Sequence, residues 1–171
     1  MQKGCLQVYT GDGKGKTTAA AGLAVRALGR GLRVGFFQFL KDGSSGEIEV
    51  LRRLGALVAA APLQKFVWEM TPQEKEGCAK AQGQLLAQAA EALPGLDLAV
   101  LDEAACACTA GMLLLPALLT VVRQRPLGLE LVVTGRGAPA PLLELADYVT
   151  EMRLLRHPYD AGLAARSGIE F

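Results

Sequence analysis

Eight residues, Gly11-Asp12-Gly13-Lys14-Gly15-Lys16-Thr17-Thr18, constrain the fold of this chain more than any other stretch. They lie between the apolar run Leu6-Gln7-Val8-Tyr9 and a helix-forming run over residues 19–28. Strand, glycine-rich turn and helix in that order make a phosphate-binding loop. Gly11, Gly13 and Gly15 let the backbone turn its N–H groups inward in conformations that a Cβ obstructs. The helix opening near Lys16 adds unpaired N–H groups and its positive dipole end. Lys16 supplies a mobile cation, and the Thr17 hydroxyl is placed to ligate Mg2+. The common pattern begins with a glycine where this chain has Thr10, and Lys14 adds a second lysine inside the loop. A glycine-rich turn without a ligand is the bland alternative, and the strand before it and the Gly-Lys-Thr-Thr ending argue against that.

Beyond the loop, apolar runs alternate with helix-like runs. Helices are expected over residues 17–29, 47–54, 71–93, 112–124 and 139–146, and strands over residues 33–40, 56–61, 97–103, 129–134 and 148–154. Thr71-Pro72-Gln73-Glu74 carries a capping box, with Thr71 as N-cap and Glu74 as its acid. Pro116 fits if it lies in the first turn of its helix. Repeated strand–helix units with right-handed crossovers predict an α/β fold, a mainly parallel β-sheet flanked by helices, of the P-loop nucleotide-binding type. Its 171 residues, 51% hydrophobic, suffice for one domain over residues 1–171 with a full core, and no linker or repeat divides them.

Two segments are expected to face the loop from the C-terminal ends of strands. Residues 97–101 are apolar and end in Asp102-Glu103, an arrangement suited to holding Mg2+ directly or through water; a helix cap or surface pair is the competing reading. Arg136, in Gly135-Arg136-Gly137, is a candidate for binding a polyphosphate or stabilising a leaving group, against a plain solvent-facing arginine. Residues 62–71 are an irregular stretch, and if it is extended Phe66 and Trp68 face the same side. They are either an apolar wall for a large ring ligand or anchors that tie a loop to the core. Glu103 is the one candidate general base. His157, the sole histidine, is held only as a residue at the edge of the site.

A net charge of +1 without a basic stripe argues against a nucleic-acid partner. Cys5, Cys78, Cys106 and Cys108 have neither disulfide-frame nor paired zinc spacing and read as reduced, packed thiols. Cys106 and Cys108 could instead hold a soft metal. The first strand starts too early to leave room for a signal peptide, and the longest apolar run, residues 112–122, is shorter than a membrane span. A soluble, cytoplasmic protein is expected.

Six segments in this order resemble the P-loop ATP:corrinoid adenosyltransferases of coenzyme B12 synthesis and salvage. They are Thr10 to Thr18, Gln38-Phe39-Leu40-Lys41, Phe66-Val67-Trp68, Val100-Leu101-Asp102-Glu103, Val133-Thr134-Gly135-Arg136-Gly137 and His157-Pro158-Tyr159-Asp160-Ala161-Gly162. The resemblance implies that MgATP donates its 5′-deoxyadenosyl group to a Co(I) corrinoid and that triphosphate leaves. Thr10, Gly11, Asp12, Gly13, Lys14, Gly15, Lys16, Thr17, Thr18 and Arg136 would then bind ATP, with Lys16 and Arg136 catalytic. Thr17 and Glu103 would hold Mg2+, and Phe66 and Trp68 would displace the lower axial ligand of cobalt. The resemblance also implies a homodimer and an electron-donating reductase such as a flavoprotein. A P-loop small-molecule kinase or ATPase is the alternative, and a nucleotide-binding regulator without turnover is a third reading. One departure is Ala104-Ala105-Cys106-Ala107-Cys108, where that family usually continues with polar or aromatic residues.

Overall fold

Apolar residues at consecutive positions need cover on both faces of a strand, and a parallel sheet between two helical layers provides it. The computed structural model of the chain describes residues 3–63, 65–156, 162 and 164–169. Among them are six strands: β1 (Leu6–Thr10), β2 (Val34–Gln38), β3 (Leu57–Ala60), β4 (Leu98–Asp102), β5 (Glu130–Thr134) and β6 (Tyr148–Glu151). They form one sheet in the order β3-β2-β4-β5-β1-β6, and every pairing is parallel. All C-terminal ends therefore lie along the same edge of the sheet.

Among the described residues six α-helices connect and cover the strands: α1 (Lys16–Leu28), α2 (Gly46–Arg53), α3 (Pro72–Ala92), α4 (Ala104–Thr109), α5 (Leu115–Gln124) and α6 (Ala140–Leu143). Side chains alternate across a strand, and the two hydrophobic clusters follow that alternation. Phe36, Val100 and Val132 pack with Ala20 and Ala24 of α1 and with Ile48 and Leu51 of α2. Their neighbours Phe37, Leu101 and Val133 pack on the other face with Leu85 and Leu86 of α3, Leu118 of α5 and Leu142 of α6. The expected elements are present, most of them trimmed by a residue or a few, with α1 and α2 each starting and ending one residue earlier than expected. Pro116 sits in the first turn of α5, and the Thr71–Glu74 capping box is formed at the start of α3.

The sequence leaves two local features unspecified. Helix α4 follows directly on β4; its six alanine-, cysteine- and threonine-containing residues are too few to show a helical period. Phe66-Val67-Trp68 is not extended, because residues Val67–Glu69 form a single 3-10 turn. The motif residues His157, Pro158, Tyr159, Asp160 and Ala161 lie outside the described residues. No helix among the described residues is long and apolar enough to cross a membrane.

Candidate functional site

The glycine loop joins β1 to α1, and its conformation explains its composition. Gly11 and Gly15 adopt φ values of 91° and 112°, in the left-handed region, and Gly15 is the N-cap of α1. At Gly13 the limit is space, since its N–H donates to the Met152 carbonyl and an added Cβ would stand 2.6 Å from that oxygen. The loop is thus seated against the chain just beyond β6, leaving the first N–H groups of α1 to open into the cleft.

Thr10, in place of the usual first glycine, has a structural job. Its hydroxyl accepts from the Ala138 N–H at 3.2 Å and ties the loop to the segment carrying Arg136. Lys16 is 6% exposed, and its ammonium donates to the carbonyls of Gly11 at 2.6 Å and Gly13 at 2.8 Å. Burial pushes the Lys16 ammonium below the ordinary lysine value, Glu103 pulls it back up, and the Arg136 guanidinium lowers it again.

The buried Asp102, at the end of β4, is the hub opposite the loop. Its Oδ1 accepts from the hydroxyls of Thr17 at 2.9 Å and Thr134 at 2.7 Å. Its Oδ2 accepts from the Lys41 ammonium at 2.7 Å and, at a long 3.4 Å, from Gln38 Nε2. Lys41 also donates to Thr17 Oγ1 at 2.9 Å. These groups come from the ends of β2, β4 and β5 and the start of α1, which parallel register brings together: Gln38 pairs with Asp102 and Tyr9 with Thr134.

Glu103 follows with φ 61°, a left-handed conformation in a residue other than glycine, and its N–H donates to Thr134 Oγ1 at 2.9 Å. Among the described residues Leu40 is the other such residue, at φ 51°. Each such backbone conformation costs on the order of 1–2 kcal/mol. Their positions just beyond β4 and β2 allow the chain to leave the sheet abruptly and present Glu103 and Lys41 to the same cleft.

That cleft has a volume of about 890 Å3, and Asp12 to Thr18, Lys41, Glu103, Arg136 and Phe66 are among its lining residues. Arg136 is exposed at its wall, presented by Gly135, whose φ is 147° and whose added Cβ would collide with the Cys106 backbone nitrogen. Phe66 and Trp68 stack with centroids 4.4 Å apart and planes inclined by 7°. They are 58% and 76% exposed, so they do not anchor their loop in the core. Phe66 borders the cleft directly, and Trp68 extends the aromatic surface outward from it.

Cys106 and Cys108 are half-buried free thiols. Burial raises both, Cys108 to about 11, and the Glu103 carboxylate raises Cys106 further. No cluster of His, Cys, Asp and Glu among the described residues could hold a metal through three or more of these side chains, which offers the soft-metal reading no support. The Thr17 hydroxyl with the Asp102 and Glu103 carboxylates is a hard oxygen set of the type suited to Mg2+ completed by water and phosphate oxygens.

Of the sequence-predicted residues, Asp12 to Thr18, Arg136, Glu103 and Phe66 therefore share one cleft, while Thr10, Gly11 and Trp68 are not among its lining residues. The Asp102-Glu103 pair was expected opposite the loop, whereas Lys41 and Thr134 lay inside quoted motifs without being assigned to the site. Their signal was positional, since each stands at or just past the C-terminal end of a strand.

Comparison with known proteins adds an independent observation. Residues 2–171 match the model of a family described as ATP:corrinoid adenosyltransferase BtuR/CobO/CobP. The chain is 40% identical to a corrinoid adenosyltransferase of Pseudomonas aeruginosa, over 99% of this chain and 85% of that protein. It is 36% identical to the corrinoid adenosyltransferase of Escherichia coli, over 99% of this chain and 87% of that protein. It is likewise 36% identical to the corrinoid adenosyltransferase CobA of Salmonella typhimurium, with the same coverage.

Proposed function

Because the chain belongs to the ATP:corrinoid adenosyltransferase family, we propose that it transfers the 5′-deoxyadenosyl group of MgATP to the cobalt of a Co(I) corrinoid. The Co(I) electron pair attacks C5′, the C5′–O5′ bond breaks, and its electrons leave with triphosphate. Cobalt is formally oxidised by two electrons to Co(III), and no proton need be removed from the nucleophile. The cleft offers cations and backbone N–H groups for an anion, and Asp12, Asp42, Glu47 and Glu103 are among its lining carboxylates; in this reaction no base is needed. The observation that carries the reading is the meeting of a phosphate cradle with an exposed aromatic face, Phe66, in one cleft.

The first N–H groups of α1, Lys16 and the guanidinium of Arg136 stabilise the charge that grows on the leaving triphosphate. Lys16 does so by exchanging its two carbonyl acceptors in the loop for phosphate oxygens. Thr17 with Glu103 or Asp102 would hold Mg2+, which would neutralise part of the phosphate charge. The rest of the rate enhancement is positional, since bringing C5′ within reach of cobalt replaces an encounter between two solutes. The stacked Phe66 and Trp68 give the corrin ring a flat apolar surface and face the cobalt side on which its lower ligand must be lost. Losing that ligand makes Co(II) easier to reduce, because the entering electron occupies an orbital no longer raised by it. The reductase, such as a flavoprotein, and a homodimeric assembly belong to the same proposal.

The test supplies chemically reduced corrinoids, from complete cobalamin to early diamide precursors, together with MgATP. A light-sensitive alkylated corrinoid formed with an equal amount of triphosphate is expected. ADP and phosphate with no corrinoid product would replace this reading by that of a small-molecule kinase or ATPase.

A further inference from the structure

Asp102 receives four donors, of which only Lys41 is charged. The ammonium of Lys41 bridges Asp102 Oδ2 at 2.7 Å and Thr17 Oγ1 at 2.9 Å. Its placement is built rather than incidental. Phe39 N–H donates to the Asp102 carbonyl at 2.9 Å, fixing the exit of the chain from β2. Leu40, at φ 51°, donates its N–H to Oε1 of the buried Gln82 of α3 at 3.1 Å. A turn clamped on both sides thus delivers the next residue, Lys41, onto the pair. Beside it Gln38 is fully buried, with Oε1 lacking a hydrogen-bond partner.

Thr17 and Asp102 are among the oxygens that the reading above gives to Mg2+. A divalent cation of that size needs its oxygens at about 2.0–2.1 Å and as near-octahedral neighbours. An ammonium hydrogen-bonded to the same oxygens uses the same lone pairs, so the two cations exclude one another. We propose that Lys41 is a resident counter-cation that holds the Thr17–Asp102 pair, competes with free Mg2+ for it, and yields to Mg2+ arriving with nucleotide.

The inference rests on the MgATP reading of the cleft and adds an order to it: the metal enters with the triphosphate rather than before it. Lys41 itself lines the cleft, so its displaced ammonium remains within the space that the phosphates enter. Attraction to phosphate oxygens would offset its loss of Asp102. Free divalent cation supplies no such replacement partner. Lys41 acts here as a positioning residue, through Thr17 and Asp102.

The experiment is calorimetric titration of the full chain with MgCl2 alone, without nucleotide, followed by titration with MgATP. Lys41→Met keeps most of the side-chain stem and removes the charge, and Lys41→Arg keeps the charge. Lys41→Met is expected to bind Mg2+ alone at least tenfold more tightly than the parent protein. Adding Asp102→Asn to Lys41→Met should abolish that gain, while Lys41→Arg should stay within threefold of the parent. The thermal midpoint of Lys41→Met in chelator should fall below that of the parent and be restored by Mg2+ alone, a response a merely structural lysine would not give. Equal Mg2+ affinity in the parent and Lys41→Met, including no binding in either, would overturn the proposal even where both bind MgATP. Failure of the parent to bind MgATP at all would instead overturn the reading of the cleft on which the proposal rests.

Discussion

Replacing Thr134 by valine tests the wiring of the site with a change of one atom type. Thr134 is fully buried, and its hydroxyl donates to Asp102 Oδ1 at 2.7 Å while accepting the Glu103 N–H at 2.9 Å. Valine has nearly the same shape, so the substitution opens no cavity and removes only the hydrogen bonds. A hydrogen bond to a carboxylate contributes about 1.5–3 kcal/mol, and leaving a buried N–H without an acceptor costs about 1–3 kcal/mol. The two losses share one network and do not simply add. A total of about 2–4 kcal/mol is therefore expected, which in a chain of this size lowers the thermal midpoint by about 5–15 °C. Thr134→Ser is the control; it keeps the hydroxyl and deletes a buried methyl, at about 1 kcal/mol. Urea unfolding of the three proteins in chelator, without nucleotide, gives the comparison directly. A Thr134→Val protein within 0.5 kcal/mol of Thr134→Ser, a margin set at about the resolution of such measurements, would refute the assignment of these bonds as supports of the site.

Lys16→Ala and Arg136→Ala should each lose most adenosyl transfer, a drop on the order of a hundredfold or more, while circular dichroism and unfolding midpoints show the fold retained. Trp68→Ala removes an exposed ring, so stability should change by less than about 0.5 kcal/mol; the reaction begun from Co(II) corrinoid should suffer more than that begun from Co(I), and equal losses would reject a role in removing the axial ligand. Stability should also fall in acid. Lys65 and the capping contacts with Thr71 hold Glu74 down at about 2 from an ordinary 4.5, and Arg33 holds Asp97 at about 2 from 3.8. Both carboxylates are lowered by folding, so their contribution is complete above the ordinary values and lost as pH falls toward 2. Glu74→Gln with Asp97→Asn should flatten the slope of unfolding free energy against pH in that window, and an unchanged slope would remove these pairs from the account.

What could be read from the sequence followed physical signals carried by short stretches. Glycines at 11, 13 and 15 before Lys16 specify a loop around an anion, and Thr71 with Glu74 specifies a helix start; both need only neighbouring residues to form. The buried runs of β2, β4 and β5 are likewise local, and their parallel order follows from the helices between them. The hub at Asp102 is of another kind. Thr17 and Asp102 are separated by 85 residues and Lys41 and Asp102 by 61, and only the register of the sheet brings them together. Asp102 and Glu103 read as equivalent acids along the chain, yet one is buried under four donors and the other turns left-handed into the cleft. Thr10 read as a missing glycine because its hydroxyl's partner, the Ala138 N–H, lies 128 residues away. The aromatic pair was ambiguous because alternation assumes an extended backbone; the single 3-10 turn stacks the rings instead.

The central claim is that carbon rather than phosphorus is the atom attacked. Incubating the protein with Co(I) corrinoid and ATP labelled with carbon-13 at C5′, and following carbon and phosphorus resonances together, tests it in one sample. The account predicts that the label moves to a cobalt-bound carbon as an unbroken triphosphate appears in equal amount. Label remaining in ADP or AMP while a phosphoryl group is transferred or hydrolysed would contradict it.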